Sequence, residues 1–248
     1  LEPPTSLWMY YSAFDRQSMR TLEEVGSHFK ETIQFLEDNQ VEYDIGCENV
    51  IRDHGKIKGS NFIVNKRAYN LVVVPEKMEN IDKSSFELLK EYIAAGGTVL
   101  QIGEDLELID GAKSEELARL TENNNWINKT SLNKQVVEEF LLCENFKMTP
   151  SSTGRVHHHR RQLKDGQVVF MSNFSLEEGA NTNIILKGSS VEGISPQSGE
   201  TFPVYYEKKG NELNFSVHLP PAGSYLVCVH KKKHVDPADK KIKVKKTL

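Results

Sequence analysis

The residues best able to do chemistry gather between positions 44 and 54, where Asp44, Cys47, Glu48, Asn49, Arg52, Asp53 and His54 fall within eleven residues. Carboxylates, amides and imidazoles accept from and donate to sugar hydroxyls, so Glu48, Asn49, Arg52, Asp53 and His54 are candidates for the rim of a saccharide site. Read as structure alone, the same residues are turn and capping groups of an exposed loop. Cys47 invites a thiol nucleophile, but that chemistry needs a sharp strand-to-helix elbow and a histidine in reach. The local run has one glycine before the cysteine and none after it, which favours an inert cysteine. On a strand, His157 and His159 share a face and His158 points away, so at most two could bind one ion; we expect no metal and a polar strand face. Trp8, Trp126, Tyr205, Tyr206 and Tyr225 could stack on sugars, yet aromatics on strands are more often core, and strand alternation buries only one of Tyr205 and Tyr206.

The elements that would position these residues begin with a strand, helix and strand over residues 69–104. Leu71-Val72-Val73-Val74 and Thr98-Val99-Leu100-Gln101-Ile102 suit strands buried on both faces, and Phe86, Leu88, Leu89, Tyr92 and Ile93 recur at helical spacing between them. Such a βαβ unit presents ligands at the carboxyl ends of its strands. Glu76, Glu104 and Asp105 stand just past those ends, with no nucleophile and no phosphate loop, and we expect no catalytic residue. Around this unit the pattern predicts a strand at 7–12, an amphipathic helix at 22–39, a strand at 41–45, a long inserted loop at 46–59 running into a hairpin at 57–64, and helices at 114–123 and 132–143. Beyond Pro150 the pattern predicts seven short strands, at 155–163, 168–173, 182–186, 191–195, 201–207, 213–219 and 224–230, an antiparallel sandwich.

Composition narrows the class further. The chain has 248 residues and a formal charge of −4, with eight Lys after position 230 that leave the remainder strongly acidic. An acidic body argues against nucleic acid, and no apolar run is long enough to span a membrane. Three scattered cysteines fit neither a disulfide scaffold nor a zinc site. Asn128, Asn173 and Asn214 each begin an Asn-X-Ser/Thr triplet, a short pattern that is frequent by chance. The chain opens at Leu1, from which we expect a section of a longer protein.

The ordered motifs Glu42-Tyr43-Asp44-Ile45-Gly46-Cys47-Glu48-Asn49-Val50-Ile51, Tyr69-Asn70-Leu71-Val72-Val73-Val74-Pro75 and Ala94-Ala95-Gly96-Gly97-Thr98-Val99 resemble the middle region of multidomain glycoside hydrolases of the α-L-rhamnosidase type. So do the stretch from Arg160 through Asp165-Gly166 to Asn173 and the run Pro220-Pro221-Ala222-Gly223-Ser224-Tyr225-Leu226-Val227. The likeness covers about residues 5–230. It implies an α/β, flavodoxin-like domain of the class I glutamine-amidotransferase type at 1–148, an all-β immunoglobulin-like sandwich at 149–231, and a linker or the start of a further domain at 232–248. It further implies a non-catalytic accessory region without cofactor, serving an enzyme that acts on plant or microbial polysaccharide. That region would support a catalytic barrel absent from this chain, lend a loop to its rim, and meet carbohydrate only through the parent enzyme. The resemblance also implies a secreted or periplasmic location. The alternatives are a self-sufficient amidotransferase-like enzyme using Cys47 and a carbohydrate-binding module using the sandwich.

Overall fold

The structure is a computed structural model that describes residues 1–143, 145–150 and 155–232. All but the first residue of the expected linker or further domain at 232–248 lies outside the described residues. By internal contacts the chain divides into two units, one of Leu1–Phe35 with Tyr43–Phe140, the other of Leu36–Glu42 with the chain from Leu141 onward.

The first unit carries α1 (Pro4–Met9), the long helix α2 (Arg16–Asp38), α3 (Glu48–His54), and the strands β1 (Gly55–Lys58), β2 (Asn61–Val64), β3 (Arg67–Tyr69) and β4 (Leu71–Val74). Next come β5 (Asn80–Ile81), α4 (Lys83–Ala94), β6 (Thr98–Ile102), β7 (Leu108–Ile109), β8 (Ala112–Lys113), α5 (Glu115–Thr121), β9 (Trp126–Lys129), α6 (Lys134–Val136) and a π-helical turn, Val137–Leu141. The last turn of α2 counts with the second unit.

The βαβ unit forms as its apolar runs dictate. β4 pairs with β6 in parallel, Leu71 opposite Thr98, and β9 extends the sheet in the order β4-β6-β9. Between them α4 starts on Asp82, whose carboxylate accepts from the Ser85 N–H at 2.6 Å, and lays Phe86, Leu89, Tyr92 and Ile93 into the core. The helix ends at paired glycines that do different jobs. Gly96 takes φ +84, the left-handed conformation a side chain resists, while a Cβ on Gly97 would come within 2.1 Å of the Tyr92 ring. In the buried layer Trp126 Nε1 donates to Gln101 Oε1 at 2.9 Å, tying β9 to β6 with a satisfied polar pair. The hairpin is present, with β1 antiparallel to β2 and the turn at Gly59-Ser60.

Three expectations for this unit are corrected. Residues 7–12 form no strand: Pro4 stands at the start of α1, where its fixed φ suits the first turn, and Trp8, Met9 and Tyr11 point away from any core. Residues 41–45 pair with no strand among the described residues; the Val41 N–H instead bonds back to Leu36 O at 3.0 Å, closing the end of α2. The stretch 46–59 is not an irregular loop, because burial of Glu48 and Ile51 winds it into α3, and β1 begins directly after. The two strands expected to lead the sheet, at 7–12 and 41–45, are therefore not formed among the described residues. The unit is a mixed α/β layer with a parallel sheet of three strands flanked by small sheets, β1-β2-β3 and β5-β7-β8.

The second unit holds β10 (Phe146–Pro150), β11 (Val156–Gln162), β12 (Gly166–Asn173), β13 (Ala180–Lys187), β14 (Ser190–Ile194), β15 (Thr201–Pro203), β16 (Glu207–Lys209), β17 (Glu212–Leu219) and β18 (Ser224–His230). They form two antiparallel sheets, β10-β13-β17-β16 and β11-β12-β18-β14-β15. Strict alternation along β17 sends Leu213, Phe215, Val217 and Leu219 inward, where they share a core with Val169, Met171, Val191, Val227 and Val229 of the other sheet. The expected strand at 201–207 is in fact two. Its ends join different sheets, and the segment between them buries Val204 and Tyr206. β10, which the sequence pattern missed, lies across β13 with Phe146 opposite Leu186.

Candidate functional site at the carboxyl edge of the parallel sheet

Where β4 and β6 end, two loops meet. The chain after β4 turns at Lys77, which takes φ +63, and its N–H donates to Asp105 Oδ2 at 3.0 Å while Nζ lies 3.5 Å from Oδ1. The chain after β6 passes through Gly103 at φ +76, where a Cβ would crowd Asp105 Oδ2 at 3.0 Å and Glu76 Cγ at 3.3 Å. Asp105 is thus occupied in holding a backbone turn. A general base must present a free lone pair to substrate, and this carboxylate's nearest work is structural.

The short helix α1 is fastened across this edge. Ser6, fully buried, accepts from the N–H groups of Glu79 and Asn80, each at 3.0 Å. The Thr5 hydroxyl stands 2.8 Å from Glu48 Oε2 and 3.1 Å from Asn80 O. Tyr10 donates to Glu79 Oε2 at 2.5 Å; that bond, with burial and the nearby charges of Glu79 and Asp105, pushes the phenol up to about 12. The anchored helix leaves Trp8 71%, Tyr11 72% and Phe14 100% exposed. Trp8 is among the residues singled out in the sequence, but its exposure and that of Tyr11 run against the expected strand at 7–12, since an apolar run of this length reads as a buried strand; only Pro4 at the helix start signals otherwise.

The residues singled out between 44 and 54 are divided by α3. Glu48 is buried and accepts from the Asp82 N–H at 2.7 Å, bracing the start of α4. Its burial raises the carboxyl pKa, against the pull of the Asp82 N–H and the Thr5 hydroxyl and with a push from the Asp82 charge. Asn49, Arg52, Asp53 and His54 are exposed on the helix. Arg52 donates to Asp53 Oδ1 at 3.1 Å and to Asn49 Oδ1 at 3.0 Å, so three of the four share one hydrogen-bonded group. Asp44 accepts from the Tyr69 hydroxyl at 2.8 Å. Cys47 precedes α3 in an ordinary extended conformation, φ −76 and ψ 125, not the strained elbow a nucleophile of that kind occupies.

The histidine run belongs to the second unit and joins a different network. His158 is buried on its side chain; its ring lies 4.5 Å from that of Phe146, Nδ1 is 2.8 Å from Gln40 Oε1, and Nε2 stands 3.4 Å from Glu42 Oε1. Arg160 grips Glu42 with both faces of its fork, 2.6 Å each, and also reaches Gln167 Oε1 and Cys143 Sγ at 3.0 Å. His157 stacks on Phe174 and faces Glu37 and Asp38. Among the described residues no group of three or more His, Cys, Asp or Glu side chains is arranged to hold a metal ion. Of the triplet asparagines, Asn173 is buried and donates to Glu178 O at 2.7 Å and Pro220 O at 3.1 Å, which commits its amide to the fold.

No protein-family model matches this chain, and no curated protein matches it in sequence. In structure it is similar to a rhamnosidase from Novosphingobium sp. PP1Y, with a TM-score of 0.61 at 15% identity over 82% of this chain. It also overlaps an apo exo-carrageenase GH42 from Bacteroides ovatus, with a TM-score of 0.48 at 16% identity over 82% of this chain. The chain spans 21% of the rhamnosidase's length and 27% of the exo-carrageenase's. No helix among the described residues is long and apolar enough to cross a membrane. The chain therefore has the fold of a segment found within a much longer glycoside hydrolase.

Proposed function

We propose that this chain is a non-catalytic accessory region of a larger glycoside hydrolase acting on plant or microbial polysaccharide. In this reading the first unit, flavodoxin-like in its layer plan, buttresses a catalytic barrel, and the second, immunoglobulin-like unit spaces it from further modules. The observation that carries the reading is the structural employment of two carboxylates, Asp105 past the end of β6 and Glu48 at the start of α3, which accept backbone N–H groups at 3.0 and 2.7 Å and serve the fold. The fold likeness to part of a rhamnosidase agrees with it. The rim contribution falls to the exposed residues of α3, Asn49, Arg52, Asp53 and His54, with Glu48 anchoring the helix beneath them.

The purified chain should turn over neither a panel of aryl glycosides nor glutamine. Turnover that disappears in Cys47→Ala would replace this reading with that of a self-sufficient thiol enzyme. In a protein carrying the barrel, His54→Ala and Arg52→Ala should raise KM with little change in kcat; unchanged kinetics in both would reduce α3 to scaffolding.

A further inference from the structure

Leu36–Glu42 is the piece of chain that the second unit takes from between two stretches of the first, and side chains of β11 and of the residue before it fasten it there. Arg155 bonds Asp38 at 2.9 and 3.2 Å, and Arg160 holds both oxygens of Glu42. Two histidines stand inside this clasp, each with a buried Nε2 that makes no hydrogen bond. That of His157 lies 3.6 Å from Asp38 Oδ1, and that of His158 lies 3.4 Å from Glu42 Oε1. For His158 the neighbours fix where the ring hydrogen sits. Gln40 donates through Nε2 to Val156 O at 2.8 Å and to Glu37 O at 3.2 Å, which settles the end of its amide that meets the ring. That end is the oxygen, 2.8 Å from Nδ1 and able only to accept, so Nδ1 carries a hydrogen. A neutral imidazole has one hydrogen to give. With it on Nδ1, Nε2 would set a bare lone pair against a carboxylate oxygen, in a side chain only 2% exposed. A second proton turns that opposition into a charge-assisted contact.

We propose that His158 is held as the imidazolium between Gln40 and Glu42, and that loss of its Nε2 proton as pH rises loosens residues 36–42 from β11, a pH-sensitive clasp. The surrounding charges favour the cation. From α2 and the segment after it, Glu37, Asp38 and Glu42 face the guanidiniums of Arg155 and Arg160, and the odd carboxylate is left for a protonated ring to balance. His157, the other titratable ring, faces Glu37 and Asp38. Arg160 repels a second cation, but its fork is spent on Glu42, and Cys143 Sγ stands 3.0 Å from its Nη2. From β10 the Phe146 ring lies 4.5 Å from the imidazole, a near-stacked neighbour whose face attracts a cation, and from β12 the residue opposite is the uncharged Met171. Glu42, its carboxyl at about 2, stays ionised at every pH concerned. An imidazole in water titrates near about 6.5. Below that the ring is charged whether the clasp is open or closed, and closure does not vary with pH. Above it the open clasp gives up the proton that the closed one keeps, so closure weakens about tenfold per pH unit until the closed ring is neutral as well.

The test reads the ring nitrogens of the 248-residue protein by NMR with nitrogen-15-labelled histidine, His158 being identified among the eight histidines by its contact with the Phe146 ring. At about pH 7.5 both nitrogens of His158 should have the shifts of a protonated ring, while the exposed His159 is mostly neutral. The Val41 N–H, bonded to Leu36 O within the fastened segment, should exchange with solvent faster than the chemical rate predicts, by about tenfold per pH unit above about 6.5. His158→Asn should abolish that added slope and His157→Asn should keep it, with circular dichroism confirming that both variants are folded. A neutral His158 with a bare Nε2 at about pH 7.5, titrating alongside His159, overturns the proposal, and no variant is needed to detect it. An added slope that survives His158→Asn, or that disappears in His157→Asn, overturns it too and passes the clasp to the neighbouring ring.

Discussion

Glu42 and Glu48 stand six positions apart, belong to different units, and are held in opposite ways. Glu42 meets the guanidinium of Arg160 and the ring of His158, and although burial pushes its carboxyl up, the hydrogen bonds and charges of those partners bring it down to about 2. Glu48 meets an amide and a hydroxyl, which carry no net charge, and burial prevails, so its carboxyl is raised. A partly desolvated carboxylate stays ionised when a cation faces it, and its pKa climbs when its partners are dipoles and a neighbouring carboxylate, as Asp82 is for Glu48. One carboxylate therefore works as half of an ion pair, the other as a hydrogen-bond acceptor for an amide and a hydroxyl.

The largest test of this contrast removes the cation. Arg160 is almost wholly buried on its side chain while a third of Glu42's is exposed, so Arg160→Met should strip Glu42 of its bidentate partner, leaving it only His158, and lower the stability of the second unit by about 1–3 kcal/mol once solvent screening is allowed for. Urea unfolding monitored by a probe in that unit measures it, and adding Glu42→Leu should recover part of the loss. A single change as mild as an ordinary surface substitution would show that the pair is incidental. Next, Glu48→Ala should cost about 1–3 kcal/mol in the first unit by stranding the Asp82 N–H, while Glu48→Gln, which keeps an acceptor, should cost less than about 1 kcal/mol. A Gln variant as damaging as the Ala variant would mean that the charge matters after all.

The smallest effect is on pH dependence, and its sign differs between the two. Glu42 is bound as the carboxylate with its pKa moved from 4.5 to about 2, so its contribution is complete above about 4.5 and is lost as pH falls toward 2. Glu48 is raised above 4.5, so the folded state takes up a proton first and its contribution grows as pH falls from neutrality toward 4.5. Calorimetry from pH 7 to pH 3 on Glu42→Gln and Glu48→Gln separates them. Glu42→Gln should flatten the acid loss, and Glu48→Gln should flatten the gain above 4.5; the same slope change in both would erase the contrast.

How the end of α2 is built shows why such a network escapes local reading. Gln40 takes φ +60, a conformation that costs a side-chain-bearing residue something like 1 kcal/mol, and its amide recovers it by donating to Val156 O at 2.8 Å while its oxygen meets His158. Glycine would have announced that helix end in the sequence; glutamine conceals it. Arg160 and Glu42 lie 118 positions apart, and no spacing rule connects them.

What the sequence determined by itself were the elements whose signal is local and repeated. Buried aliphatic runs produced β4 and β6, helical periodicity produced α4, strict alternation produced β17, and short apolar runs between turn signals produced β12, β13 and β18. Each of those residues carries the same instruction as its neighbours, so no distant contact is needed to interpret it. Tertiary structure decided the rest. It placed the apolar run at Trp8 in solvent, wound residues 48–54 into a helix by burying Glu48 and Ile51, and split the strand at 201–207 between two sheets. In these short segments propensity is weak, and the free energy of burying one or two side chains against residues far along the chain exceeds it.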